Sequence, residues 1–201
     1  MIRKNYYYIQ LKPTIEKVLT AHTDRKTARQ ILRKSPHVYR ALREIGPDVG
    51  KKNPLARHID FALTFLAIYL AHDKRIAPEI LGEAMLSIAN NQATKLSKHD
   101  IRTAEGKEDF EKRLNQMASW QDEGHKAEFP GDYILSVQQT DGSYIINVER
   151  NAAEKIIVKS GGKKLLPQFD AFDKRIIELA GGDLDIQRSG PATKYTITPK
   201  K

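Results

Sequence analysis

The chain has 201 residues, 40% of them hydrophobic, enough to bury one substantial core without a disulfide or a metal to hold it together. It contains no cysteine, which excludes disulfides, zinc–thiolate sites, iron–sulfur clusters and thiol nucleophiles; any chemistry must use oxygen, nitrogen or a borrowed cofactor. The net charge of +9 sits at one end, since residues 1–57 carry 14 Lys and Arg against 4 Asp and Glu, whereas residues 58–201 carry 20 against 21.

Clustered cations of this kind meet nucleic acid, an anionic membrane or an acidic protein partner, or they form the solvent side of amphipathic helices. The opening stretch "MIRKNYYYIQLKP" has no apolar run of signal-peptide length, and "IDFALTFLAIYLAH" is too short to cross a bilayer. No membrane span and a cytoplasmic location are therefore expected. The rings of "NYYY", Asn5 to Tyr8, suit base stacking in type, but without interleaved glycine or basic strands they read as packing against the body of the protein.

Apolar residues at Ile15, Val18 and Leu19, then Ile31, Leu32, Val38, Leu42 and Ile45, keep helical spacing, interrupted by Pro36 and closed by Gly46. Two or three helices are predicted there, followed by a loop, "PDVGKKNPLAR". From His58 to Ala71 the sequence is apolar almost all round, which predicts a buried central helix. "APEILGEAMLSIANNQATKL" predicts a helix with Pro78 in its first turn, and the more polar "TAEGKEDFEKRLNQMASWQ" one with a single buried stripe of Phe110, Leu114 and Met117.

After "DEGHKAEFPGD" the period changes to alternation. Tyr133, Leu135 and Val137, then Tyr144, Ile146 and Val148, predict a β-hairpin joined by "TDGS". Residues 151–181 return to helix in two pieces broken at Gly161–Gly162, and a second hairpin closes the chain, with Leu184 and Ile186 facing in and Tyr195 and Ile197 opposite. The fold class is α+β: an N-terminal helical half packed on a C-terminal ββααββ half with an antiparallel sheet. Residues 1–57 form a basic helical segment, 58–128 the helical half and 129–201 the α+β half, all expected in one compact unit. There is no internal repeat and none of GxxxxGK[ST], GxGxxG, HExxH or GxSxG, which removes the common nucleotide, metalloprotease and serine-hydrolase readings.

Three stretches, "GKKNPLARH", "FPGDYILSV" and "GGKKLLPQFDAFD" followed by "DIQRSGPATKYTI", resemble in order and spacing the L-2-amino-thiazoline-4-carboxylic acid hydrolase family. The residues that match are Asn53, Pro54, Leu55, Pro130, Leu165, Leu166, Pro167, Asp173 and Arg188. The resemblance implies a small α+β protein with a pocket between helices and sheet, binding or hydrolysing a small amino-acid-derived acid. It also marks a departure, because where that family carries cysteines this chain has Asn151, Glu154, Asp170 and Thr193. Thiolate chemistry is thus closed to it, and the family name does not by itself give its activity.

On that alignment Glu154 and Asp170 become either a general acid/base pair or oxygen ligands for a divalent ion, Mg²⁺, Mn²⁺ or iron. Asp170 and Asp173 are three apart on one helix face, where a solvated surface is the competing reading. By alternation Arg188 shares the inner face with Leu184 and Ile186, so it needs a carboxylate, either Asp173 or that of a ligand; otherwise the strand ends one residue earlier. Asn151, Asn53 and His58 complete the candidate ligand-binding set, with His58 read alternatively as a satisfied core or helix-end residue. A non-catalytic binding module that uses the basic segment for nucleic acid or an acidic protein is the alternative function, and the oligomeric state stays open.

Overall fold

A computed structural model describes residues 6–50, 52–121, 126, 128–140, 142–190 and 192–201, without the side chains of residues 6–8. Of the "NYYY" run, Asn5 and the tyrosine side chains therefore lie outside what is described. The order is α1 (Tyr6–His22), α2 (Arg25–Ile45), α3 (Ala56–Ala71), α4 (Pro78–Asn91), a single turn α5 (Ala93–Leu96) and α6 (Ala104–Ser119). Then come β1 (Ile134–Thr140), β2 (Ser143–Arg150), α7 (Ala152–Lys159), α8 (Leu166–Leu179), β3 (Gly182–Ser189) and β4 (Ala192–Pro199).

The two hairpins join into one antiparallel sheet of order β1-β2-β4-β3. Its register places Leu135 opposite Val148, Val137 opposite Ile146, Ile146 opposite Tyr195 and Ile186 opposite Tyr195 on one face. The alternation in the sequence predicts that face, because side chains two apart along a strand point the same way. The helices cover it. α8 packs on β3, α7 on α3, and α3 is flanked by α2 and α4.

α3 is the centre of the molecule. Eleven of its residues are buried, among them Ile59, Leu63, Phe65, Leu66 and Ile68, each with no exposed surface. At about 1.5–3 kcal/mol for each large apolar side chain removed from water, this one helix contributes more hydrophobic free energy than the net stability of an ordinary domain. One core runs from Leu11 to Phe169 without a break between the N-terminal segment and the C-terminal half. A smaller one, Ile101, Leu114, Tyr144 and Ile197, seats α6 on the other end of the sheet.

Pro36 does not interrupt α2, contrary to the expectation from sequence; the helix continues to Ile45. The proline removes the N–H that would bond the Leu32 carbonyl, and the Ser35 hydroxyl donates to that carbonyl at 3.3 Å instead. At Gly161, φ of +78° ends α7 in a conformation that L side chains rarely adopt, and the chain turns into α8. Among the described residues, no helix is long and apolar enough to cross a membrane.

Candidate functional site

The site lies where α3, α7 and α8 meet the inner face of β3 and β4. Asn151 starts α7 as its N-cap, its side-chain oxygen accepting from the Glu154 N–H at 3.0 Å, so the first turn of α7 is fixed beside α3. α8 begins with Pro167 in its first turn and turns Leu166, Phe169, Asp170 and Asp173 to one side at the 3–4 residue spacing of a helix. Phe169 and Phe172 clamp this helix to α3 through Phe61, whose ring is 4.5 Å from that of Phe172 and 6.2 Å from that of Phe169. The result is a small cavity of about 20 Å³, open to solvent on the side of Arg188 and lined by His58, Asn151, Glu154, Asp170, Asp173, Arg188 and Tyr195 among others. That volume admits about one water molecule.

Arg188 is the hub. Its guanidinium donates two hydrogen bonds of 2.6 Å each to the two oxygens of Asp170, a bidentate pairing, and stands 3.8 Å from Glu154. The arginine is held above its usual range, first by the hydrogen bonds it donates to Asp170. The strand does extend past Arg188, to Ser189.

The expectation that Asp173 pairs with Arg188 is not met, and the reason is the unequal rise of helix and strand. From the turn at Gly181, Arg188 lies seven residues along β3, about 23 Å at strand rise, whereas Asp173 lies back along α8 by only about 12 Å and Asp170 by about 17 Å. The more distant aspartate therefore meets the arginine. Asp173 is left with no hydrogen-bonded partner among the described residues. Burial, and secondarily the Asp170 charge, push its carboxyl up to about 7, against the smaller opposing effect of Arg188.

Beside that ion pair, three further titratable groups near Asp173, namely His58, Tyr133 and Tyr195, are neutral. Burial lowers His58, and its Nδ1 lies 3.0 Å from the Tyr133 hydroxyl. Burial raises Tyr133 well above the ordinary phenol, with the Ala153 amide opposing, and raises Tyr195, with the Asp173 charge adding to it. Tyr133 and Tyr195 therefore remain hydrogen-bond donors at neutral pH. Both fall on inner faces in the sequence, where they read as packing residues; the available signal was a phenol facing inward beside an inward arginine.

Asn53 is not part of this cavity. It is 5% exposed and ties two loops together, its amide donating to the Val49 carbonyl at 2.8 Å and to Asp132 at 2.6 Å, while its oxygen accepts from the Leu55 N–H. Asp132 also accepts from the Trp120 indole at 3.3 Å. Asn53 thus braces the segment that leads into Tyr133.

The expectation of a divalent ion on Glu154 and Asp170 does not fit this arrangement. Both Asp170 oxygens are taken by a cation already, and no group of three His, Cys, Asp or Glu among the described residues is placed to hold a metal. A larger depression of about 770 Å³ lies elsewhere, between Arg43–Lys52 and Trp120–Phe129, and holds none of the groups with perturbed ionisation. Comparison with protein-family models and with curated proteins finds no match to the chain.

Proposed function

We propose that this cavity binds a small amino-acid-derived carboxylic acid and supports addition of water to it, as a cysteine-free relative of the L-2-amino-thiazoline-4-carboxylic acid hydrolases working in the cytoplasm. The observation that carries the reading is the convergence on one cavity of Asp173, a carboxyl group with no hydrogen-bonded partner among the described residues, with the guanidinium of Arg188 and the neutral phenol of Tyr195. A group that titrates near neutrality serves as general acid and general base in turn. Asp173 fills that role in place of Glu154 and Asp170, because Asp170 is committed to Arg188 and a locked carboxylate is a poor base.

Entry of a ligand requires Asp170 to release Arg188. The ligand's carboxylate replaces that of Asp170 on the guanidinium, at equal hydrogen-bond count, and the opened space receives the rest of the molecule. Tyr195 then donates to the polar atom at which charge develops, and Asp173 takes the proton from water. The test is thermal shift and ring-opening of L-2-amino-thiazoline-4-carboxylate and related acids, followed by NMR with wild type and Asp173→Asn. A rise in melting temperature in both proteins, with turnover in wild type alone, is expected. No shift at millimolar ligand with wild type would overturn the reading.

A further inference from the structure

The charge asymmetry of the sequence becomes a geometric feature in α2. Of the 14 cations in residues 1–57, seven lie on this one helix, namely Arg25, Lys26, Arg29, Arg33, Lys34, Arg40 and Arg43, and all are exposed. At 100° per residue the five arginines fall within an arc of about 80°, so they form a stripe down one flank rather than a scattered solvent face. The neighbouring arc of the helix, Ala28, Ile31, Leu32, Ser35 and Leu42, is buried.

Among the described residues, little neutralises the stripe. The only acid within α2 is Glu44. Glu16 approaches Arg29 only to 3.9 Å, and Asp60, which accepts from the Tyr39 hydroxyl at 2.7 Å, approaches Arg43 only to 3.8 Å. Asp24 is occupied as the N-cap, accepting from the Lys26 and Thr27 amides. Arg40 donates to His37 at 2.7 Å, which leaves its charge uncompensated.

We infer that this arginine flank of α2 is a docking surface for a nucleic-acid duplex, held through its phosphates without sequence preference. The inference is independent of the reaction assigned to the cavity. The arginines are separated by four, four, seven and three residues, rises of about 6, 6, 10 and 5 Å, which fall between one and three phosphate spacings of a strand whose charges are 3.4 Å apart along the axis, and from Arg25 to Arg43 they span about 27 Å. Competing partners fit less well. A protein interface is built on aromatic and apolar anchors, which the exposed flank between Arg25 and Arg43 lacks, Tyr39 being turned to Asp60. Single strands stack on exposed aromatic rings, and bilayers take up an apolar helix face, but the apolar face of α2 is already buried in the core.

The experiment is fluorescence anisotropy of the full chain with two unrelated 20-base-pair DNA duplexes, a single strand and phosphatidylserine vesicles across a salt series. Five phosphate contacts give a slope near −4.5 in log affinity against log salt, a loss of roughly 500-fold between about 50 and 200 mM, equal for both duplexes. The double variant Arg25→Gln, Arg33→Gln should lower that slope by about two and keep the wild-type melting temperature, both side chains being exposed. Lys163→Gln with Lys164→Gln, exposed cations on the other side of the chain's charge division, should leave it unchanged. Absence of duplex binding at about 50 mM salt, tighter binding to vesicles or to the single strand than to duplex, or a slope indifferent to the α2 variant would each overturn the inference.

Discussion

Replacing Asp173 by asparagine separates a buried acid that destabilises the fold when ionised from one that holds it together. The Asp173 carboxyl titrates at about 7 in the folded protein against an ordinary value of 3.8. The folded state therefore keeps a proton that the unfolded chain has released, so stability falls as pH rises from about 4 to about 7 and is level beyond. At 1.36 kcal/mol per pK unit this displacement corresponds to about 4 kcal/mol, an upper bound for a side chain that is half-buried rather than sealed. Asparagine has the same shape and no charge to lose. Asp173→Asn should match wild type below about pH 4 and exceed it at pH 8 by about 2–4 kcal/mol, or roughly 4–16 °C in melting temperature for a chain of this length. Urea unfolding at pH 4, 6 and 8 reads the difference directly. Parallel pH profiles for the two proteins, or a variant less stable than wild type at pH 8, would refute the reasoning and return Asp173 to the role of a structural ion-pair partner.

Two further perturbations test other links. Leu66, with no exposed surface at the middle of α3, should not tolerate charge; Leu66→Asp is expected to unfold the protein, because an unpaired buried carboxylate costs several kcal/mol against a net stability of about 5–15, and circular dichroism would show it. Arg188→Gln removes the guanidinium that lowers Asp173 and leaves the raising effect of Asp170 unopposed, so the Asp173 titration followed by carbon NMR should move above 7; an unchanged or lower value would mean that Arg188 does not act on that carboxyl.

What could be read from the sequence divides along a physical line. α3 and the inner faces of both hairpins were legible because burial imposes a period, and a period survives in one dimension: thirteen apolar or small residues in α3 leave no solvent face, and Leu135, Val137, Ile146 and Val148 alternate as a sheet requires. The continuity of α2 through Pro36 was not legible, since a proline's breaking tendency is local and its compensation is a single hydroxyl, Ser35, whose hydrogen bond to Leu32 is set by a rotamer. Asn53 misled in a similar way, as a loop amide of the type that binds ligands but in fact buried against Asp132.

The pairing of Arg188 shows most clearly where one-dimensional reasoning stops. Asp170 and Asp173 share a helix face, so helical period treats them as equivalent partners for an inward arginine, and the family pattern favours Asp173. What separates them is the return of the chain at Gly181, where φ of +83° reverses direction and lays an extended strand along a compact helix. A strand covers about 3.3 Å per residue and a helix 1.5 Å, so the two aspartates, one helical turn apart, meet strand positions only about one or two residues apart. Such a small offset decides which carboxylate is neutralised by the guanidinium and which is left to titrate near neutrality. The chemistry of the cavity is therefore a property of the register between α8 and β3, and neither element carries it alone.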